Sequence, residues 1–297
     1  MTRFISIGEA MVEMAPLAVP GQFQMSFAGD TLNTAWYARA LKPRWDVDYV
    51  TAVGTDRISD QMLQFLDDAR IGRAHVQRLD DRAMGLYLIS LVDGERQFSY
   101  WRGQSAARML AADVDVLAAA LAEGDIIYFS GITLAIQEGR GRAKLLDAVQ
   151  RAQSAKGLVV FDSNLRPSLW ESDDHMRAWV TKAASLADIM LPSHDDEAVH
   201  FGDKSPEATR DRYAALGAGI VVVKNGPGAI HYQSGDDKGI VQPAIVSDVV
   251  DTTAAGDSFN AGFLTAFVEG APIEDAIVQA SNVARHVIKG RGALVSL

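Results

Sequence analysis

Apolar residues along the chain fall into two kinds of run. Short, nearly uninterrupted ones, "RFISIG", "VDYVTAVG", "DIIYFSG", "GLVVFDSN", "ADIMLPS" and "GIVVVKNG", are rich in β-branched residues and bounded by Gly, Ser, Asn or Pro, the pattern of strands buried on both faces. Between them lie longer segments whose apolar positions recur about every 3.6 residues. These predict helices over 33–41, 58–70, 114–122, 140–155, 175–187, 206–216, 257–268 and 273–288. Strand and helix alternating in this way build βαβ units, hence a parallel sheet with helices on both faces. No repeat, low-complexity tract or Pro/Gly/Ser linker divides the chain, so residues 1–297 read as one domain.

One segment has a different period. "GLYLISLVDGERQFSYWR" contains two alternating runs around Asp93-Gly94, a pair suited to a two-residue hairpin turn. Counting outward from that turn sets Val92 opposite Glu95, Ile89 opposite Phe98 and Tyr87 opposite Tyr100, and the period of two brings Arg102 onto the face of Tyr100. Tyr87, Tyr100 and Arg102 therefore share a face, either as a cluster that stiffens the hairpin or as a receptor for a carboxylate or hydroxyl.

Composition narrows the partners. Lys and Arg number 28 against 38 Asp and Glu, a net charge of -10, which repels nucleic acid in the absence of a basic run. The chain has no cysteine, so disulfides, thiolate zinc sites and a thiol nucleophile are excluded. Glu9 and Glu13 interrupt the apolar start "MTRFISIGEAMVEM", and no segment approaches the roughly 20 apolar residues of a membrane span. The expected location is the cytoplasm, with no membrane partner.

The stretch "DTTAAGDSFNAGFL", residues 251–264, carries the candidate chemistry. Small residues before a helix let backbone N–H groups approach an anion, and the helix dipole adds positive potential there. Asp257, in the first turn, fits such a site and fits equally well as a helix cap. Competing motifs are missing: there is no G-x-x-x-x-G-K-S/T loop and no complete dinucleotide fingerprint. A hydrolase reading of "GDSFN" would need a later His base, and His286 sits on an ordinary amphipathic helix. The other histidines show no metal-ligand spacing.

That stretch resembles, almost position for position, the C-terminal signature of the ribokinase-like sugar kinases of the phosphofructokinase B type. The resemblance implies a three-layer α/β/α fold with a mostly parallel central sheet and a small β-lid, here from about 9–30 and the 85–102 hairpin. It implies ATP and Mg2+ as cofactors and admits a monovalent cation. By the same resemblance the turn Ala254-Ala255-Gly256 is an anion hole and Asp257 the base for the attacked sugar hydroxyl; Ala254 stands where the family commonly has Gly. Placed at a helix N-terminus, Asp257 is expected to be a weak base that accepts its proton late. "FAGDTLNTAWYARAL" is similar to the family's first signature, which assigns Gly29, Asp30 (in place of the second Gly) and Asn33 to the sugar. "FDSNLRPSLW" resembles its D-x-N-x-R segment, which sets Asp162, Asn164 and Arg166 beside the phosphates. "VKNGPGA" resembles its nucleotide loop, which assigns Lys224, Gly226 and Gly228 to ATP, with Asn282 against the base. Ser193 and Asp196 fall in the position of its N-x-x-E motif, where they do not match, so no magnesium ligand is assigned.

Within the family, "GEAMVEM", "AGDTLNTAWYARAL", "GERQFSYWRGQSAA" and "DSNLRPSLW" most resemble the kinases of 2-keto-3-deoxygluconate. That resemblance implies a sugar acid facing Gly29, Asn33, Tyr87, Tyr100, Arg102 and Arg166, and copies that associate through the lid. A kinase of a neutral sugar would share the nucleotide residues without needing Arg102. A non-catalytic sugar-binding regulator would have no use for an intact Asp257, Gly256 and Arg166.

Overall fold

The computed structural model describes residues 1–92 and 95–297, so the expected turn at Asp93-Gly94 lies outside the described residues. In chain order the strands are β1 (Arg3–Ile7), β2 (Met11–Pro16), β3 (Phe23–Ala28), β4 (Asp46–Val50), β5 (Ala52–Gly54), β6 (Gln77–Leu79), β7 (Gly85–Val92), β8 (Glu95–Trp101), β9 (Ile126–Ser130), β10 (Leu158–Asp162), β11 (Ile189–Met190), β12 (Ile220–Val223), β13 (Ile230–Ser234) and β14 (Asp237–Val241). The α-helices are α1 (Asp30–Leu41), α2 (Arg57–Asp68), α3 (Val114–Leu121), α4 (Gly131–Ala135), α5 (Gly141–Ser154), α6 (Asp173–Ala184), α7 (His194–His200), α8 (Pro206–Ala215), α9 (Ala255–Phe267) and α10 (Ile273–Val287).

Eight strands form the central sheet in the order β14-β13-β12-β11-β10-β9-β1-β4. Pairing is parallel from β12 to β4 and antiparallel only where β13 and β14 extend the edge. Its strands read as continuous apolar runs because both faces are covered. Phe4, Tyr128, Val160 and Val222 point into one core with α1, α2, α9 and α10, while their neighbours Ile5, Ile127, Val159, Phe161 and Val221 point into a second core with α3, α5, α6 and α8. The result is the expected three-layer α/β architecture. Among the described residues no helix is long and apolar enough to cross a membrane.

Two local expectations need correction. "VDYVTAVG" is not one strand: β1 ends at Ile7, Gly8 donates the last bond to Val50 O, and beyond Thr51 the chain leaves the sheet to pair β5 with β6. Helix α1 begins three residues earlier than its apolar period indicates. The Asn33 amide donates to Gly29 O at 2.7 Å, which draws Asp30 and Asn33 into the first turn. Gly29 is required there, because a Cβ would lie 2.1 Å from the backbone oxygen of Glu9.

A separate four-stranded sheet, β3-β2-β7-β8, stands beside this body. Tyr87 pairs with Tyr100 and Ile89 with Phe98, the register counted from the sequence. Met11, Ala28, Tyr87 and Ile89 of this sheet pack against Ala293 and Ala254, so its inner face rests on the turn that opens α9.

Candidate active site

The site lies where the parallel strands end, the usual place for a ligand on an open α/β sheet. Asp162 closes β10, and the N-termini of α1 and α9 converge on it. Helix α9 opens on Ala254, whose φ of 60° is left-handed. An L-residue pays about 1 kcal/mol or more for that conformation, and the turn aims the following amides outward. Asn164 (φ 25°) and Arg166 (φ 43°) share it. Among the described residues, three of the five non-Gly residues with positive φ thus sit in the two segments flanking the strand ends, the kind of stored strain found at functional sites.

Asp257 is held from α1. The Asn33 amide donates to its Oδ2 at 2.8 Å and Thr34 Oγ1 donates to its backbone oxygen at 3.3 Å. Burial, and then the nearby carboxylate of Asp30, push the Asp257 acid up to about 8, against the opposing effects of Asn33 and Lys224. This corrects the expectation of a weak base: desolvation and a like charge outweigh the helix terminus. Asp30 is itself raised, first by burial, with Asp162 adding to it, while Ser130, the Thr31 amide and Asn164 oppose. Asn164 Nδ2 donates to Asp30 Oδ2 at 2.8 Å.

Lys224 does not point outward from its loop as a free nucleotide ligand. Its Nζ donates to Asp162 Oδ2 at 3.2 Å and to Asn260 Oδ1 at 3.0 Å, and it lies 3.7 Å from where a Cβ on Gly256 would sit. The ammonium is therefore placed under the N-terminus of α9, a second positive element beside the backbone amides of Ala255, Gly256 and Asp257. Asn260 completes the link, donating to Asp162 Oδ2 at 2.7 Å and to Tyr128 Oη at 3.0 Å. Arg166 is more than half exposed, with Asp196 Oδ2 3.8 Å away, free to swing onto an anion. Gly226 takes φ 51° and Gly228 donates to Asn225 O, making the segment after Lys224 a tight turn. Asn282 is exposed on α10. Among the described residues its side chain makes no hydrogen bond to the site.

On the four-stranded sheet, Tyr87 and Tyr100 lie with ring centroids 5.8 Å apart and the Arg102 guanidinium lies 6.0 Å from the Tyr100 centroid. Arg102 is not the free cation its position in the hairpin suggests: a nearly buried ion pair joins its Nη2 to Glu9 Oε2. Tyr87 donates to Glu13, which also accepts from Ser26; burial and Glu13 push the Tyr87 phenol up, keeping it a proton donor. Glu9, Glu13 and Asn260 went unassigned from sequence. Asn260 has a readable signal, being a polar residue one turn beyond Asp257 on a helix otherwise apolar at that depth. The two glutamates have none, because their partners lie 93 and 74 residues away.

The cations, helix amides and strained turns suit a polyphosphate. Among the described residues no group of three or more acidic or histidine side chains forms a metal cage.

Comparison with known proteins agrees with this chemistry. The chain matches the model of the pfkB family carbohydrate kinases over residues 1–297. It is 38% identical over 299 residues to the 2-dehydro-3-deoxygluconokinase of Dickeya dadantii, covering 98% of this chain and 96% of the relative. To the enzyme of that name from Escherichia coli K12 it is 36% identical, covering 97% and 96%. Among solved structures it superposes on a PfkB protein from Polaromonas with a TM-score of 0.86 at 26% identity, covering 98% of this chain and 97% of that one. A fructokinase with bound ATP from Xylella fastidiosa gives 0.84 at 24% identity, covering 98% and 93%, which is a likeness of fold. A chain that matches this family from end to end, and sets an acid, an ammonium and a strained helix N-terminus where the parallel strands end, belongs to the pfkB family of carbohydrate kinases and is a sugar kinase.

Proposed function

We propose that this kinase transfers the γ-phosphoryl group of ATP to the C6 hydroxyl of 2-keto-3-deoxygluconate (2-dehydro-3-deoxygluconate), giving the 6-phosphate and ADP. The observation that carries the substrate is the full-length similarity, at 36–38% identity, to relatives bearing that name. The inner lid is consistent with it: Tyr87 stands opposite Tyr100, and the Arg102 guanidinium lies 6.0 Å from the Tyr100 ring.

In this reading the C6 oxygen bonds to the γ-phosphorus as the bond to the ADP oxygen breaks, and the hydroxyl proton passes to Asp257 Oδ. Asn33 fixes the orientation of that carboxylate, and its raised basicity suits a proton acceptor working near neutral pH. The amides of Ala255, Gly256 and Asp257, with Lys224 and Arg166, balance charge on the transferred group. Gly29, Asp30 and Asn33 face the sugar, and the turn at Gly226 and Gly228 lies against the nucleotide. Mg2+, when bound, would neutralise part of the phosphate charge, and Asp162, the carboxylate that closes β10, is the residue that would hold it, through water. The lid keeps water from competing with the sugar.

A kinase of a neutral sugar such as fructose is the second reading, favoured by one observation: Glu9 already neutralises Arg102. The deciding experiment is ATP-coupled turnover across 2-keto-3-deoxygluconate, its galactonate epimer, fructose and ribose. The proposal expects the highest kcat/KM for a keto acid; a clear preference for fructose or ribose overturns it.

A further inference from the structure

We propose that Arg96 is a positioning residue that latches the lid to the loop leading into the anion hole, so that lid closure and the geometry of the α9 amides are coupled. Arg96 lies on lid strand β8, and its Nη1 approaches Asp251 Oδ2 at 2.7 Å and Thr253 Oγ1 at 3.0 Å. Asp251 opens the stretch that ends at the base, six residues before Asp257, and its side chain is 5% exposed.

That one carboxylate gathers three segments. Its Oδ1 accepts from the Thr253 amide at 3.1 Å and the Thr253 hydroxyl at 2.7 Å; its Oδ2 accepts from the Gly292 amide at 2.7 Å. The lid strand, the turn before Ala254 and the C-terminal loop therefore meet on a single ionised group. Burial works against that charge, but Gly292, Thr253 and Arg96 together hold the acid below its ordinary range. Among the described residues this is the only ion pair between a lid strand and the body of the protein. A cavity of about 1100 Å³ opens beside it between lid and body, lined in part by Glu13, Arg96, Asp251, Arg291 and Ala293. The latch thus closes a gap that packing leaves open.

Ala254 makes the coupling consequential. Its left-handed backbone needs support from its surroundings, and the support is Thr253 held by Asp251 on one side and the inner lid on the other. Arg96 has no place among the reacting groups. It acts through Asp251 and Thr253 on the amides that follow, and it does so only while the lid is shut.

The latch rests on the sugar-kinase reading of the site, not on the identity of the sugar. It is tested with whichever sugar the wild-type enzyme phosphorylates, so a failed substrate assignment is seen in the wild type alone. Two quantities are measured: kcat/KM for the sugar, and the ratio of ATP hydrolysed to sugar phosphorylated. Arg96→Met should lower kcat/KM roughly tenfold and raise the hydrolysis ratio several-fold, as an unlatched lid admits water. Its melting temperature should stay within a degree or two of wild type, because the pair is partly exposed. Arg96→Lys should recover part of both losses. Asp251→Asn should reproduce the defect, and the double variant should be no worse than the worse single one. Additive losses, or an Arg96→Met enzyme with wild-type kcat/KM and hydrolysis ratio, overturn the proposal. Should Asp251→Asn not fold, Arg96→Met and Arg96→Lys still decide it: equal losses in both, or in neither, count against the latch.

Discussion

Asp257 is unusual less for being an acid at a helix N-terminus than for the company it keeps. Burial raises it most, and Asp30 and then Asp162 add to the rise, to about 8. A like charge in a desolvated site turns an ordinary carboxylate into a base suited to neutral pH. Asp257→Asn keeps the shape and the Asn33 neighbour but accepts no proton, so kcat should fall roughly 10²- to 10⁴-fold. The folded-state value lies above the unfolded one, so the folded protein binds the extra proton between roughly pH 4 and 8, and the stability this group contributes is lost as pH rises through that window. The Asn variant should therefore gain in melting temperature relative to wild type as pH approaches 9; a variant that loses ground there would mean Asp257 is stabilised as an anion. Asp30→Asn removes the nearest like charge. Whatever it does to the amplitude, the acid limb of the kcat/KM profile should move to lower pH, and a limb fixed near 8 would separate the two groups. Ala254 offers a third test at this scale. With φ at 60°, Ala254→Gly relieves left-handed strain and should stabilise the fold by about 0.5–1 kcal/mol in urea unfolding, with turnover retained because the amide remains.

At the level of elements, what was legible depended on whether the signal was local. The apolar periods located the sheet strands and the long helices, because burial on two faces or along one stripe is written within a dozen residues. The register of β7 with β8 followed from a two-residue turn and a period of two. The early start of α1 was not written in its apolar pattern, since it depends on a backbone bond to Gly29. The edge hairpin β13-β14 also escaped notice: its alternation of Ile230 and Tyr232 with polar residues is short, and it is antiparallel in a chain that otherwise reads as βαβ. Side-chain partners were the least legible. Lys224 could be placed in its loop, but its inward turn toward Asp162 and Asn260 is decided by groups 62 and 36 residues away. The β7-β8 hairpin offers the test of specificity. Arg102→Leu removes the guanidinium yet keeps much of the apolar stem, and losing a bond to a charged group costs about 1.5–3 kcal/mol. Leaving Glu9 buried and unpaired should cost both substrates alike, and beyond that common loss kcat/KM for 2-keto-3-deoxygluconate should fall a further ten- to a hundredfold relative to fructose. Equal losses on both substrates would mean that Arg102 serves Glu9 and its own sheet alone.

Over the whole molecule, the site is mounted on two cores that do not mix. The sheet separates them, and Asp257 sits on α9, which belongs to one core together with α10. Asp257 therefore stays in place only as firmly as α9 is seated on α10. That seating depends on Gly262, five residues along the helix from Asp257: a Cβ there would lie 2.8 Å from the Cα of Ala280 and 3.2 Å from Val283 Cγ2. In an isolated helix, replacing Gly with Ala gains up to about 1 kcal/mol. Here the obstacle is backbone, which cannot rotate aside, so Gly262→Ala must push the two helices apart and should cost about 1–3 kcal/mol net. The expected signature is a lower urea midpoint with an unchanged m-value. The same displacement tilts the N-terminus of α9 away from Asn33 and Lys224, so kcat should drop in the folded enzyme under conditions where unfolding is negligible. A Gly262→Ala enzyme that is more stable than wild type and fully active would show that α9 and α10 have slack between them, and that Asp257 is held by its hydrogen bonds to α1 alone.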